Sequence, residues 1–312
     1  MGKLGAKILE RQNRDNHIDE LLAQKTIYSR AKNYQGLLLL LTVALPIVVS
    51  LTVKYSPSLI DQSNYIFVLY TIIAATSEKV LESTIDRLKK IAASIKELFD
   101  TEVLGIIDND SLNLVLIDRE IVRRYSNKKK RNKKDVDLVT NWYSLEIKKI
   151  KTNVASLLCQ RTNITYDFSV RKRYKFLIIG LSVITFLVLL TISLSRELSL
   201  KDFLIEVVLP SIPVFMYAYK EINSNTESID NLNHLRNLIE SLIKEIKIDE
   251  NIDKYQLRSI QNRIYHNRLL SPLIPDFIYK LLRPKLEDEM NYSIKEQIKI
   301  LGTTKTCKRN NG

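Results

Sequence analysis

Hydrophobic residues gather in four runs along the chain, and charged residues fill the segments between them. Tyr34 to Val53 and Phe176 to Ser195 each continue for 20 residues without a charge. At ~1.5 Å rise per residue, a helix of that length crosses a ~30 Å hydrocarbon layer. The other two runs are interrupted. The second is apolar only from Tyr65 to Ala75 and spans when Gln62, Ser63, Thr76 and Ser77 are drawn in; the fourth, Phe203 to Tyr219, carries Glu206, Pro210 and Pro213. Each follows a clean run by a short link, so each reads as the return leg of a hairpin. The pattern predicts an all-α integral membrane protein with two transmembrane helical hairpins, 34–77 and 176–219, giving four spans. Residues 1–33 precede the first run, which outlasts a cleavable apolar core, so no removable signal peptide is expected.

The helical period continues beyond the runs. Leu81, Ile85, Leu88, Ala92, Ile95 and Phe99 lie on one face of a helix leaving the second run, and Ile229, Leu232, Leu235, Ile239, Leu242 and Ile246 do the same after the fourth. Both exits begin alike, Glu82-Ser83-Thr84-Ile85-Asp86 and Glu227-Ser228-Ile229-Asp230. The two halves read as a tandem plan used twice, with convergence of two hairpins as the alternative. The expected organisation is an N-terminal cytoplasmic helix (1–33), hairpin 1 (34–77), a cytoplasmic helical region (78–175), hairpin 2 (176–219), C-terminal cytoplasmic helices (220–301) and a disordered tail (302–312). Within the C-terminal part, a helix is predicted from about Lys254 to Arg268, a break at Pro272 and Pro275, and a second helix from about Asp276.

Composition agrees with long helices, because the 312 residues include only 7 Gly and 7 Pro. Collagen-like, disulfide-framework and turn-rich all-β classes are excluded. Charge sets orientation: the links Lys54 to Gln62 and Arg196 to Asp202 hold only Lys54, Arg196 and Lys201 of the 48 Lys and Arg. By the positive-inside rule the other side is the cytoplasm, which makes this a multi-pass inner-membrane protein with both termini cytoplasmic. Cys159 and Cys307 need no disulfide there.

Charge also picks out one segment. Arg123, Arg124, Lys128, Lys129, Lys130, Arg131, Lys133 and Lys134 place 8 basic residues within 12. Read as a loop facing the inner leaflet, 123–134 contacts anionic lipid, where each basic residue adds ~1 kcal/mol. Nucleic acid is the alternative partner, without sequence-specific recognition. Residues 76–175 sum to +8 and residues 220–312 to +3, against a total of +13, so the middle region is the better anion binder.

Enzyme motifs are missing. No two glycines lie closer than three residues apart, so no phosphate-cradling loop can be written, and no cofactor is expected. His17, His234 and His266 read as isolated, with no metal site. Asp135 or Asp137 followed by Glu146 and Lys148 resembles a metal-dependent nuclease motif, but that motif belongs on strands and this stretch looks helical. No catalytic residue is assigned and the chain is not expected to be an enzyme. Inside the membrane, Glu206 is a candidate for an ion path, with snorkelling to the outer surface as the alternative. Pro46, Pro210 and Pro213 are candidate gating positions, because proline bends or loosens a helix.

Four stretches carry a resemblance. They are Leu22-Ala23-Gln24-Lys25-x-x-Tyr28-Ser29-x-Ala31-Lys32, Ala93-Ser94-Ile95-Lys96-Glu97-Leu98-Phe99-Asp100, Cys159-Gln160-Arg161-Thr162-Asn163 with Tyr166-Asp167, and Ile260-Gln261-x-x-Ile264-Tyr265-x-x-Arg268 before Pro275-Asp276. In this order on a two-plus-two helix plan, the chain resembles the SMODS-associating four-transmembrane effectors. It departs from them at Gly105 to Asn109, where a Trp-Asn pair is expected, and at Tyr166, where Trp is expected. The resemblance implies a bacterial antiphage effector that answers a cyclic oligonucleotide made by a neighbouring cyclase and permeabilises the inner membrane.

Phosphates call for guanidinium groups and bases for aromatic or amide groups. Gln160, Arg161, Asn163, Tyr166, Arg258, Gln261, Tyr265 and Arg268 are therefore the candidate ligand contacts, with joining of the cytoplasmic helices as their other reading. Four short spans enclose little lumen, so a homo-oligomer is expected. The competing functions are a membrane-anchored signalling or scaffold protein without a pore and a membrane-tethered nuclease.

Overall fold

The computed structural model describes residues 4–45, 63–107, 117–130, 132–195, 199–246 and 252–303, and no strand occurs among them. In chain order the helices are α1 (Ala6–Gln12), α2 (Asp15–Leu39), α3 (Ser63–Leu104), α4 (Arg119–Lys130), α5 (Lys133–Asp137), α6 (Thr152–Ser195), α7 (Leu200–Phe203), α8 (Leu209–Glu245), α9 (Lys254–Leu270) and α10 (Asp276–Thr303). α2 packs along α3 and α6 along α8, so the helices of each predicted hairpin pair chiefly with one another, while α4 lies on α2 and α10 on α6.

α3 and α6, of 42 and 44 residues, each join a buried half to a bare apolar half. In α6, Val154, Leu157, Leu158 and Ile164 are buried, whereas Leu181, Ile184 and Phe186 are 56%, 58% and 55% exposed. Among the described residues α6 is the one helix long and apolar enough to cross a membrane, with mean hydropathy 2.7 over its most apolar stretch and only 11% of that stretch buried. A core helix of this composition hides its apolar side chains, and a sleeve bared all round is what lipid accommodates. The opening of α3 (Tyr65, Leu69, Ile72) and that of α8 (Leu209, Met216) are also bare without meeting that test. Most of the first span and its link fall outside the described residues.

The buried half is built on the predicted faces. Ile85, Leu88, Ala92, Ile95 and Phe99 of α3 are buried, as are Ile229, Leu232, Leu235 and Ile239 of α8. The largest core gathers Leu21 and Leu22 of α2, Phe99, the start of α6, the end of α8 and Ile260 and Ile264 of α9. α3 ends where Gly105 takes φ +69°, a left-handed position that spares it a Cβ clash, and its N–H closes onto the Thr101 carbonyl at 2.9 Å. Gly5 donates to the Ile150 carbonyl at 2.6 Å, and a Cβ there would collide with the Ile147 carbonyl.

Two expectations need correction. The basic stretch is helical, not a loop: Arg123 to Lys130 belong to α4, Asn132 caps α5, and Lys133 and Lys134 open it. Val122 and Tyr125 supply an inner face that packs onto the cluster of Ala23 and Ile27 of α2, with Val122 only 3% exposed. Lys and Arg are good helix formers, so the exposed face tolerates the charge. His17 is not isolated either, as described below.

The proline positions coincide with irregular turns. A π-helical turn at Leu204–Val208 precedes α8, whose first turn contains Pro210, and Pro213 lies inside α8. A proline has no N–H to close the helical bond to the carbonyl four residues back, and a π turn is one way a helix departs from that ladder. A second π turn, Leu40–Ala44, stands two residues before Pro46, which lies outside the described residues. The side chains of Glu206 and Pro210 are outside them as well.

Candidate functional site

Below the apolar sleeve, α3, α6 and α9 meet at a buried junction of charges. Its centre is Lys96-Glu97-x-x-Asp100 on α3, where Glu97 and Asp100 have no exposed surface and Lys96 has 3%. Lys96 and Asp100 sit one position after Ile95 and Phe99 of the core stripe, and Glu97 two positions after Ile95. A helix turn of ~100° per residue therefore carries them to its edge and into the core. Their partners come from α9. Arg258 Nη2 donates to Glu97 Oε1 at 2.7 Å, Gln261 Nε2 to Glu97 Oε2 at 2.7 Å, and Arg268 Nη2 pairs with Asp100 Oδ2 at 2.7 Å. The spacing of Arg258, Gln261 and Arg268 puts all three on one face of α9.

The third element, α6, reaches in through Gln160, whose Nε2 donates to Gln261 Oε1 at 3.1 Å and to the Leu257 carbonyl at 2.9 Å. Tyr143, from the segment before α6, donates its hydroxyl to Asp100 Oδ1 at 2.7 Å, and Asn163 Nδ2 donates to that hydroxyl at 3.2 Å. Tyr265 meets Ser94 at 3.2 Å. The Lys96 ammonium is 2.9 Å from Asp100 Oδ1, and 4.2 and 4.5 Å from the ring centroids of Phe99 and Trp142.

The electrostatics separate the two carboxyls. Burial raises both in the first place. At Asp100 the ammonium of Lys96 and the guanidinium of Arg268, with hydrogen bonds from Lys96 and Tyr143, overcome it and hold the group at about 2. At Glu97 burial prevails over Gln261, Arg268 and Arg258, and the pKa lies above the ordinary value. Burial lowers Lys96 to about 8 despite Asp100 beside it. Asp100 is thus the fixed negative charge of the junction.

The predicted contacts therefore divide. Gln160, Asn163, Arg258, Gln261, Tyr265 and Arg268 converge on the junction, bonded to one another, to α3 and to Tyr143, while Gln160 Oε1 and Arg268 Nη1 are buried without a hydrogen-bond partner among the described residues. Arg161 and Tyr166 face the opposite side of α6, where they line a cleft of about 50 Å³ beneath α10. Arg161 Nε donates to Glu240 Oε1 at 2.7 Å and Nη1 to Ser293 Oγ at 2.9 Å, tying α6 to α8 and α10. That cleft is smaller than one nucleotide. Asp135 is paired with Lys25 at 2.9 Å and Glu146 with Lys295 at 3.5 Å, on helical turns and not on strands.

A second charged cluster joins α2 to α3. His17 Nδ1 lies 2.9 Å from Glu20 Oε2 and its Nε2 lies 3.7 Å from Glu102 Oε2, while Arg119 of α4 pairs with both carboxylates. The three could surround a cation, but Arg119 already supplies the countercharge. Glu20, three residues after His17, was the legible signal, whereas Glu102 reaches it only through the packing of α3 on α2. For the junction, the signal was an acid and a base beside a core stripe.

Two further groups of hydrogen bonds lie nearer in sequence to the apolar segments. Arg171 of α6 donates to Asp167 at 2.9 Å, to Asn225 of α8 at 3.3 Å and to the Pro272 carbonyl at 3.1 Å. Gln35 of α2 donates to Glu221 of α8 at 3.4 Å, linking the two hairpins.

Residues 6–297 match the family model described as the SMODS-associating 4TM effector domain. A relative described as a probable CBASS effector molecule, from Bacillus cereus (strain VD146), is 26% identical over 291 residues, which cover 91% of this chain and 95% of that protein. No solved structure matches.

Proposed function

The chain belongs to the SMODS-associating 4TM effector family, and from that membership we propose that it is a membrane effector of a bacterial cyclic-oligonucleotide-based antiphage system, acting without catalysis. Its four spans, 34–53, 62–77, 176–195 and 203–219, sit in the inner membrane with both termini in the cytoplasm. The signal is read by the cytoplasmic helices, and copies self-associate into a conducting assembly.

The observation that carries this reading is the continuity of α3 and α6 from buried junction to bare sleeve. At ~1.5 Å per residue each is a rod more than ~60 Å long. A rod clamped by charges at one end transmits a change in that clamp to its other end. Both π turns lie at the predicted membrane end, where a helix yields most readily. Anionic lipid contact suits Lys172 and Lys175, within one turn of Phe176. Liposomes reconstituted with the full chain are expected to release a trapped dye when the activating nucleotide is added. Persistent impermeability with bound nucleotide would overturn the pore.

One observation favours the rival scaffold reading. The hydroxyls of Ser182 and Thr191 donate to the Ile178 and Leu187 carbonyls of their own helix, at 2.9 and 2.8 Å, so they present no polar stripe to water. A scaffold predicts partner binding without leakage in the same liposomes.

A further inference from the structure

α4 and the start of α2 enclose an open groove of about 380 Å³, within the ~300–1,000 Å³ of small-ligand sites. Arg119, Arg123 and Lys130 line it on the α4 side with Asn127, and Asn16 and Asp19 on the α2 side. Of its three cations Arg119 is paired with Glu20 and Glu102 and Lys130 with Asp19, which leaves Arg123 unpaired among the described residues. Lys130 Nζ is 3.1 Å from Asp19 Oδ2, while Asp19 Oδ1 is buried without a hydrogen-bond partner among the described residues. The side chains of Arg123 and Asn127 are exposed and make no bond among the described residues.

A bare phosphate would use the cations and be repelled by Asp19. A nucleotide uses both: its phosphate meets the guanidinium groups, and a base N–H or ribose hydroxyl meets the part of the Asp19 carboxylate that remains exposed in the groove. Position argues against a lipid headgroup. Asn16 and Asp19 precede Tyr34, the first residue of the apolar run, by 18 and 15 residues on the single helix α2, a distance of ~22–27 Å. That is more than two Debye lengths at physiological salt.

We infer that this groove, and not the buried junction, holds one nucleotide unit of the signalling molecule, with Arg119 and Arg123 on phosphate and Asp19, Asn16 and Asn127 on base and ribose. The inference rests on the cyclic-oligonucleotide reading given above. It also supplies a trigger. Arg119 straps Glu20 of α2 to Glu102 of α3, and a phosphate competes for that guanidinium, loosening α2 from the long helix that continues into the membrane.

The test uses the full chain in phosphatidylcholine nanodiscs, titrated with a panel of synthetic cyclic di- and trinucleotides, with inorganic phosphate and with phosphatidylglycerol vesicles. Arg123→Glu and Asn127→Ala, at exposed unpaired sites, are expected to melt like the parent yet bind the cyclic nucleotide about tenfold or more weakly, the scale of one lost charge-assisted hydrogen bond. Unchanged affinity in both variants overturns the groove and leaves the signal reading standing. Arg123-dependent binding of phosphate or phosphatidylglycerol in place of cyclic nucleotide overturns the nucleotide as occupant. If no cyclic nucleotide of the panel binds the parent chain, the signal reading falls and the inference with it.

Discussion

Asp100→Asn removes one charge and almost no volume from the junction, leaving Lys96 and Arg268 buried with their shared carboxylate gone. Removing one member of a buried ion pair costs ~3–5 kcal/mol. The titration gives a second measure: the carboxyl is held at about 2 against an ordinary 3.8. At ~1.4 kcal/mol per pKa unit, that difference is worth ~2–3 kcal/mol. The lower end of the first range agrees, because Lys96, already brought down to about 8, sheds its proton at neutral pH once Asp100 is lost. Arg268 has no such escape. The expected loss is about 3 kcal/mol at pH 7, or about 6–12 °C in Tm. The single tryptophan, Trp142, has its ring centroid 4.5 Å from Lys96 Nζ, so its fluorescence during thermal unfolding in detergent reports on this site. The sign with pH follows from the depressed pKa. The contribution is complete above about 3.8 and is lost as pH falls toward about 2, so parent and variant should converge in acid. A variant within ~1 kcal/mol of the parent at pH 7, or a gap that persists unchanged at pH 2, refutes the role given to Asp100.

Two further outcomes are expected. Burial pushes the Cys159 thiol well above its ordinary range, with the Asp100 charge adding to the effect. On a Cys307→Ser background, Cys159 should therefore resist iodoacetamide at pH 8 until denaturant is added, and rapid labelling of the folded chain would contradict the packing of α6. Ile184→Arg, at the middle of the sleeve, should cost ~2.5–3.5 kcal/mol of insertion and shift protein out of the carbonate-resistant membrane fraction; an unchanged fraction would remove α6 from the membrane.

Much of the buried half was legible in the sequence. The stripes from Ile85 to Phe99 and from Ile229 to Ile239 are buried as their spacing requires, because helical periodicity is a local property that a short window displays. The breaks at Pro272 and Pro275 were legible for the same reason, and α10 starts at Asp276. The basic stretch misled because its charge drew attention from Val122 and Tyr125, which stand three apart on one inner face.

The candidate site was legible by residue type and not by role. Six of the eight residues named from the sequence meet in one junction, whose acids lie about 60 positions from Gln160 and Asn163 and more than 150 from Arg258, Gln261, Tyr265 and Arg268, as in the pair Glu97 and Arg258. The sequence by itself determined the long helices, the apolar runs and the surplus of positive charge, all of which follow from composition and period within one segment. Only the tertiary structure decided which charges are buried against one another and which are left free. An ion pair forms where two helices cross in one register, and the groove between α2 and α4 exists only because Val122 docks on α2 and leaves Arg123 facing outward.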